Sequence, residues 1–300
     1  MQKFFSNLAL ITLLILSPAF AGKVLAQNAP PPNAPVIELT TSTAGASVRI
    51  DMSAAENDTP VWIETAPDTY TKTTVGIVGT GFTNYTPTGT SLKIHGAIIE
   101  FNCSGDYSNI GSVSAINANG NTALQTLNCS STALTSLNVS GLTALKELYC
   151  SFTALTSLNV TGLTALKELN CYSNDLTSLN LTGLTALEEL NCSFNQLSSL
   201  DLTNLNALNT LSCYDNQFTT LALDNIYCQL PDRTSSGLSE GKIVVSETTP
   251  EDFVLASATN NANLKNWKVC NLFSTAINNA NVSRQCGDFP PVDAPVIELT

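Results

Sequence analysis

The residues in this sequence with the greatest capacity for chemistry are its cysteines, because five of them recur at every twenty-first position. They are Cys129, Cys150, Cys171, Cys192 and Cys213. Cysteines in such an array could form disulfides in an exported protein, bind a metal ion, or act as redox-active thiols. Which chemistry is available depends on the elements that position the side chains.

The cysteines belong to a 21-residue repeat that reads Leu-x-x-Leu-x-Cys-x-x-Asn-x-Leu-x-x-Leu-x-Leu-x-x-Leu-x-x. We number its positions from the first leucine, so that Leu166 is position 1 and Cys171 is position 6. At least five units cover residues 124 to about 223, and an irregular unit before them places Cys103 at position 6, with five extra residues ahead of Cys129. The Leu-x-Cys step has the two-residue period of a short strand with both side chains inward. The sequence therefore predicts a solenoid of stacked coils with a parallel sheet.

Stacking places equivalent cysteines about 4.8 Å apart in one column, with parallel Cα–Cβ bonds. A disulfide needs Cβ atoms about 3.8 Å apart and a dihedral near 90°, a zinc site needs thiolates that converge on one point, and a redox thiol must be exposed. The column meets none of these requirements. We therefore predict a structural cysteine ladder of buried free thiols, without a metal, formed by Cys103, Cys129, Cys150, Cys171, Cys192 and Cys213.

Position 9 of the unit is the second recurring polar position. It is Asn174, Asn195 and Asn216 in the later units, and Thr132 and Thr153 in the earlier ones. An asparagine can pair with backbone groups of its own and the neighbouring coil, whereas threonine does so less completely. We predict an asparagine ladder beside the cysteines. The rest of each unit lacks a helical period, so its convex side is expected to be extended or 3₁₀.

The first half of the unit, L-x-x-L-x-L-x-x-N-x-L with cysteine in the third leucine slot, is the signature of leucine-rich repeats. The unit resembles those of the cysteine-ladder internalins and related leucine-rich-repeat surface proteins of bacteria, and the resemblance covers residues 98–223. It implies a secreted or surface-located protein that binds other macromolecules, typically in adhesion. The internalins carry a helical cap before their repeats, whereas this chain has a segment rich in Thr, Val and Ile at that place.

The flanking segments fit the caps that a solenoid needs at its ends. Alternating stretches such as Ser47–Asp51 and Pro60–Glu64 predict a β-sandwich-like N-terminal cap. After Cys213, apolar residues at helical spacing predict a short helix that stops at Pro231 and carries Cys228, followed by two strands. The predicted fold class is mainly β: a leucine-rich-repeat solenoid with a β-rich N-terminal cap and a small α+β C-terminal cap.

The ends of the chain suggest export and a modular organisation. Lys3, the apolar stretch LALITLLIL and small residues in an A-x-A pattern predict a cleaved secretory signal. The heptapeptide of residues 34–40 recurs identically at 294–300, so we expect a second module to begin there and the chain to be a fragment. The predicted domains are a signal peptide (1–26), a linker (27–33), the N-terminal cap (34–97), the repeats (98–223), the C-terminal cap (224–289) and the start of a second module (290–300).

Two cysteines lie beyond the ladder in a loop-rich tail, Cys270 and Cys286. A bond between them would close a short span and contribute roughly 3 kcal/mol in the loop-entropy model. We favour that disulfide, with Cys228 to Cys270 as the alternative, because spacing alone does not determine connectivity.

Composition excludes several functions. A formal net charge of −12 argues against nucleic acid, whose phosphates need a basic surface. The sequence has one histidine, His95, which we expect at the surface, and it lacks the motifs of phosphate-binding loops, serine hydrolases and zinc enzymes. We therefore predict no enzymatic activity and no cofactor in these residues, and no integral membrane segment. An enzyme domain elsewhere in a longer chain stays open.

The outward positions of the predicted sheet are the candidate binding surface for a protein or glycan ligand on another cell or surface. Aromatic side chains at these positions would anchor such an interface. The alternatives are that Phe152 and Phe194 merely pack over the turn, and that the chain is a non-binding spacer. The candidate face consists of Lys146, Glu147, Tyr149, Phe152, Lys167, Glu168, Asn170, Tyr172, Glu188, Glu189, Asn191, Phe194 and Tyr214.

Overall fold

The computed structural model describes residues 29–105, 111–234, 238–246 and 265–271. Within these ranges the chain forms sixteen strands and one helix, α1 (Thr220–Gln229). The strands are β1 (Val36–Thr41), β2 (Val48–Ser53), β3 (Thr59–Ala66), β4 (Thr69–Val75), β5 (Thr83–Tyr85), β6 (Ser91–His95), β7 (Glu100–Asn102), β8 (Val113–Asn117), β9 (Thr126–Asn128), β10 (Ser136–Asn138), β11 (Glu147–Tyr149), β12 (Glu168–Asn170), β13 (Glu189–Asn191), β14 (Thr210–Ser212), β15 (Gly241–Ser246) and β16 (Trp267–Asn271).

The N-terminal cap is sandwich-like and shares both of its sheets with the repeats. Strands β1, β6, β3 and β4 pair antiparallel in one sheet, while β2 and β5 pair in the other. The first sheet continues through β8 and β10, and the second continues through β7 into the sheet of the solenoid. Inward residues such as Ile37, Ile50 and Ile63 are buried in one core with the leucines of the repeats. The cap therefore closes the solenoid as a continuation of its sheets.

The repeats form the predicted leucine-rich-repeat solenoid with a parallel sheet. Strands β7, β9, β11, β12, β13 and β14 pair in parallel, and the register aligns Leu148 with Leu169 and Leu169 with Leu190. Phe101 aligns with Leu127, so the irregular first unit keeps the register of the others. Each strand is three residues long because the Leu-x-Cys step is followed at once by a turn.

The convex side turns without α-helix, as expected from the sequence. In one coil Leu142 donates its backbone N–H to Val139, and Leu145 donates to Leu142, at N···O distances of 3.3 and 3.0 Å. The same pair of bonds recurs one unit later. Donation from residue i+3 to residue i is the 3₁₀ spacing, which keeps each coil short.

The C-terminal end is closed by α1 and two strands. Thr219 caps the helix by accepting a hydrogen bond from Ala222 N–H at 3.2 Å, and Leu223 and Ile226 are buried. The predicted helix and its end before Pro231 are confirmed. Strands β15 and β16 then extend the parallel sheet beyond β14.

Lys265, just before β16, and Trp267, the first residue of β16, bond to the chain at the C-terminal end of the helix. Lys265 Nζ donates to the carbonyl oxygen of Leu230 at 2.9 Å, and Trp267 Nε1 donates to that of Pro231 at 2.8 Å. The first contact satisfies the carbonyl of the C-cap residue, and the second satisfies that of the residue just after it. Burial lowers the pKa of Lys265, although Asp232 opposes this shift. The tail is thereby held against α1.

Cys228, near the end of α1, is disulfide-bonded. The sequence has nine cysteines and the six of the ladder are free thiols, so its partner is Cys270 or Cys286. The prediction of a bond between Cys270 and Cys286 is therefore wrong, since either partner removes one of the two. Short sequence separation was a poor guide because the contacts of Lys265 and Trp267 bring the tail to the helix. Cys286 and the side chain of Cys270 lie outside the described residues.

Other predicted segments also lie outside the described residues. These are the signal peptide (1–26), most of the C-terminal cap beyond residue 246 and the second copy of the heptapeptide (294–300). Among the residues that are described, none of the helical structure is long and apolar enough to span a membrane.

Candidate ligand-binding surface

The cysteine ladder lies inside the solenoid, where its thiols are buried and free. Burial raises the pKa of Cys103, Cys171 and Cys213 to about 12. It also raises the pKa of Cys129, Cys150 and Cys192, well above its ordinary value. A protonated, inaccessible thiol is neither a nucleophile nor a metal ligand. Across the described part of the chain, no group of three or more His, Cys, Asp and Glu side chains is placed to hold a metal ion.

The asparagines at position 9 bridge adjacent coils. Asn195 Nδ2 donates to the carbonyl oxygens of Cys171 and Cys192 at 3.0 and 3.1 Å, and its Oδ1 accepts from Leu176 N–H at 3.0 Å. Asn174 and Asn216 repeat this pattern one coil before and after. By contrast, Thr132 bonds only the carbonyl of Cys129 in its own coil, at 2.8 Å, among the contacts seen here. The ladder holds the strand-to-turn backbone rigid beneath the surface residues.

Glutamates form a column along the outer face of the sheet. Glu147, Glu168 and Glu189, which we call the glutamate column, occupy position 3 in three successive strands and pair in register. Of the lysines at position 2, Lys146 donates to Gln125 Oε1 at 2.8 Å, and Lys167 forms an ion pair with Glu188 at 2.7 Å. Both lysines therefore pair with position 2 residues of neighbouring coils, and these contacts do not involve the glutamate column.

Tyr149 is held within the sheet face by two carboxylates. Its hydroxyl donates to Glu168 Oε2 at 2.8 Å and contacts Glu147 Oε2 at 3.3 Å. Burial and the two neighbouring negative charges raise the pKa of this phenol. Tyr149 thus belongs to the polar part of the face and makes no ring contact with the other aromatic residues in the described structure.

Four aromatic side chains form one continuous row at the edge where strands enter turns. We call Phe152, Tyr172, Phe194 and Tyr214 the aromatic row. Ring centroids are 5.0 Å apart from Phe152 to Tyr172, 5.1 Å from Tyr172 to Phe194 and 5.5 Å from Phe194 to Tyr214. The rings are mutually tilted, with interplanar angles of 59° or 81°. Such separations allow favourable ring–ring attraction.

The row is built by alternation between positions 7 and 8. Phenylalanine stands at position 8 behind a serine at position 7, and tyrosine stands at position 7 in the intervening coils. Phe152 and Phe194 have φ values of 52° and 54°, in the left-handed region, as do Ser131, Ser173 and Asp215 at the same position. A bulky residue at positive φ is strained by about 1–2 kcal/mol. The phenylalanines are therefore kept at a position that small polar residues occupy in other coils.

The structure corrects the predicted exposure of the aromatic residues. Phe152 is 44% exposed, whereas Tyr214 is only 5% exposed. Tyr214 packs with Val244 of β15, and Tyr172 and Phe194 lie against this pair. The expectation that Tyr214 projects outward is therefore wrong, because the C-terminal strands cover it. His95, expected at the surface, is mostly buried and hydrogen-bonded to Glu64 at 2.9 Å.

The two asparagines predicted to belong to the candidate face form hydrogen bonds with the backbone of the turns. Asn170 Oδ1 accepts from Tyr172 N–H, and Asn191 Oδ1 accepts from Ser193 N–H, both at 3.2 Å. Both asparagines stand at position 5 of the unit, between the glutamates at position 3 and the aromatic residues at positions 7 and 8. The two asparagines thus orient the start of each turn, which is where the aromatic residues stand.

The cap adds residues to this face that sequence reasoning missed. A cavity of about 160 Å³ lies where cap and repeats meet, and Asp51, Glu100 and Tyr149 are among its lining residues. Glu100 stands at position 3 of the irregular first unit, so the repeat register could have revealed it. Beside the cavity, the loop after β4 carries Ile77 and Val78 with 59% and 79% exposure. Gly79 of the same loop lines the cavity, and nothing in the local sequence indicated that the loop would reach this junction.

Comparison with solved structures found similar chains, among them two leucine-rich-repeat or cysteine-ladder proteins. The functional domain of InlJ from Listeria monocytogenes, which includes a cysteine ladder, is 28% identical, with a TM-score of 0.42, 53% of this chain covered and 32% of that chain covered. A leucine-rich-repeat protein of Leptospira interrogans is 22% identical, with a TM-score of 0.35 and coverage of 52% and 42%. The chain thus spans less than half the length of either. No family model and no curated protein matches the sequence.

Proposed function

We propose that this chain is a macromolecular recognition module of an exported protein and that its ligand lies across the outer face of the solenoid sheet. The observation that carries the proposal is the aromatic row, whose most exposed member, Phe152, stands on strained backbone. Strain of this kind is concentrated at functional sites. The ligand is a protein or a glycan on another cell or surface, and the biological role is adhesion.

Energetics favour a functional over a structural explanation of the exposed ring. Ser131, Ser173 and Asp215 adopt the same left-handed backbone in equivalent coils, so the fold does not require an aromatic residue there. Exposed aromatic side chains on a rigid sheet bury large areas at little entropic cost when they bind. The aromatic row thus has the properties of residues that contribute most of the binding energy at an interface.

Export rests on the basic residue, apolar stretch and small residues near the start of the sequence. A rigid solenoid of buried leucines suits a protein that must hold its binding face outside the cell. The combination supports a surface or secreted location.

The test is a selection for ligands. The mature chain would be panned against a phage-displayed random-peptide library and applied to a glycan array, in parallel with the Phe152→Ser/Tyr172→Ser double variant. The matched control is Thr156→Ala/Thr177→Ala, which alters two exposed residues outside the sheet face. We expect ligands of the wild-type chain to bind the aromatic variant at least tenfold more weakly and the control equally well. Equal binding to all three chains, or no ligand in either format, would support the spacer function instead.

A further inference from the structure

We propose that the partner of this face is a cationic, amphipathic polypeptide segment that runs along the solenoid, with its apolar side on the aromatic row and its basic side on the glutamate column. The inference rests on the proposed function and specifies the chemistry of its ligand.

The spacing of the two features sets the shape of the partner. Positions 3, 5 and 7 of each strand point to the same face, and a strand rises about 3.3 Å per residue. The glutamate column and the tyrosines of the aromatic row are therefore about 13 Å apart, with the amides of Asn170 and Asn191 between them. Because both features repeat with the coils, the face is divided into parallel bands along the solenoid axis. A ligand following that axis meets carboxylates on one side and rings on the other.

The carboxylates are available to a cationic partner. The hydrogen bonds that Glu147 and Glu168 receive come from the neutral hydroxyls of Thr126 and Tyr149. Registered glutamates on adjacent strands are about 4.8 Å apart and repel one another. Basic side chains lying along the column would remove this repulsion, which gives the face a preference for positive charge.

The acidic band continues onto the cap. Glu100 and Thr126 pair in register, and Thr126 pairs with Glu147, so Glu100 extends position 3 by two coils. Asp51 and Glu100 both line the junction cavity, whose lining contains no basic side chain. At the other end, Lys242 pairs with Thr210 and terminates the acidic band. The partner's basic side chains are thus expected over the N-terminal two thirds of the face.

Ring geometry favours a polypeptide over a glycan. Sugar rings stack on flat aromatic surfaces, but neighbouring rings of the row are tilted by 59° or more. A tilted row presents ring edges as well as ring faces, and this uneven apolar surface suits branched aliphatic side chains better than a stacked sugar ring. A cationic protein segment with Leu, Ile or Val on one side therefore fits both bands.

The experiment uses three synthetic twelve-residue peptides and the mature chain. They alternate Lys with Leu, Glu with Leu, or Lys with Ser, and affinity is measured by fluorescence anisotropy at 50 and 300 mM NaCl. We expect the Lys/Leu peptide to bind at least tenfold more tightly than the other two, and to weaken at high salt. Glu147→Gln/Glu168→Gln/Glu189→Gln and Phe152→Ser/Tyr172→Ser should each reduce its affinity at least tenfold.

The matched control is Asp68→Asn/Asp175→Asn/Asp201→Asn, which removes the same charge from exposed positions outside the two bands. Equal loss of affinity in this control and in the glutamate variant would show attraction by overall charge and overturn the inference, as would absence of binding by the Lys/Leu peptide. Tighter binding of a glucosamine oligomer than of the Lys/Leu peptide would assign the face to a cationic glycan instead. If library ligands depend on Phe152 and Tyr172 but not on the glutamates, the proposed function stands and this inference fails.

Discussion

Raising the pH from 8 to 10 should lower the free energy of unfolding by about 8 kcal/mol, enough to unfold most domains of ordinary stability. The six ladder thiols have raised pKa values in the folded chain, about 12 for Cys103, Cys171 and Cys213, against an ordinary value of 9.0. Below pH 9 both states keep these protons, so stability is intact. Between pH 9 and about 12 only the unfolded state ionises, and stability falls. Each thiol contributes roughly 1.4 kcal/mol at pH 10.

The measurement is urea unfolding followed by circular dichroism at half-unit steps of pH. The control is the Cys150→Ala/Cys171→Ala variant, which removes two of the titrating groups. Above pH 9 the free energy of unfolding of this variant should fall less steeply with pH than that of the wild type. The difference between the two slopes should approach about 2.7 kcal/mol per pH unit. An unchanged slope would mean that tyrosines or lysines, rather than the ladder, drive the alkaline transition.

Replacing Asn195 by alanine should cost about 1–3 kcal/mol of stability. The change leaves the buried N–H of Leu176 without its partner. It also removes one of the two asparagine donors from each of the carbonyls of Cys171 and Cys192, which keep Asn174 and Asn216 respectively. An unsatisfied buried polar group costs roughly 1–3 kcal/mol. Denaturant unfolding of the purified variant gives the value directly.

Asn195→Thr is the matched comparison for this position, because the chain already uses threonine there in two coils. Thr132 and Thr153 each donate to the carbonyl of the cysteine three residues before them. The threonine variant should therefore recover part of the loss and rank between wild type and Asn195→Ala. If both variants were as stable as wild type, the asparagine ladder would not hold adjacent coils together.

The solenoid could be predicted from sequence because its determinants repeat. A fixed 21-residue spacing aligns Leu148, Leu169 and Leu190 whatever the remainder of the chain does. The same logic extends to Phe101 in the irregular unit. The pairing of the cap strands, which are distant from one another in sequence, has no repeated spacing from which it could be predicted. Nothing local shows that β1 lies between β6 and β8, since those partners are distant in sequence.

The face of the sheet could be predicted by position but not by exposure. Repeat numbering placed Phe152 and Tyr214 correctly at the strand edge. Their burial depends on neighbours outside the repeat: Val244 packs on Tyr214 at the C-terminal end, whereas Phe152, at the other end of the row, is 44% exposed. Similarly, Asp51 reaches the face only because β2 pairs with β7.

The stability of Phe152→Asn tests most directly whether the aromatic row is maintained for binding. Asparagine tolerates positive φ far better than phenylalanine, so relief of about 1 kcal/mol of strain should offset the lost contact with Tyr172. We predict a free energy of unfolding within about 0.5 kcal/mol of wild type, or above it. A loss of about 2 kcal/mol or more would show that the ring is packing needed by the fold, and would contradict its assignment to a ligand.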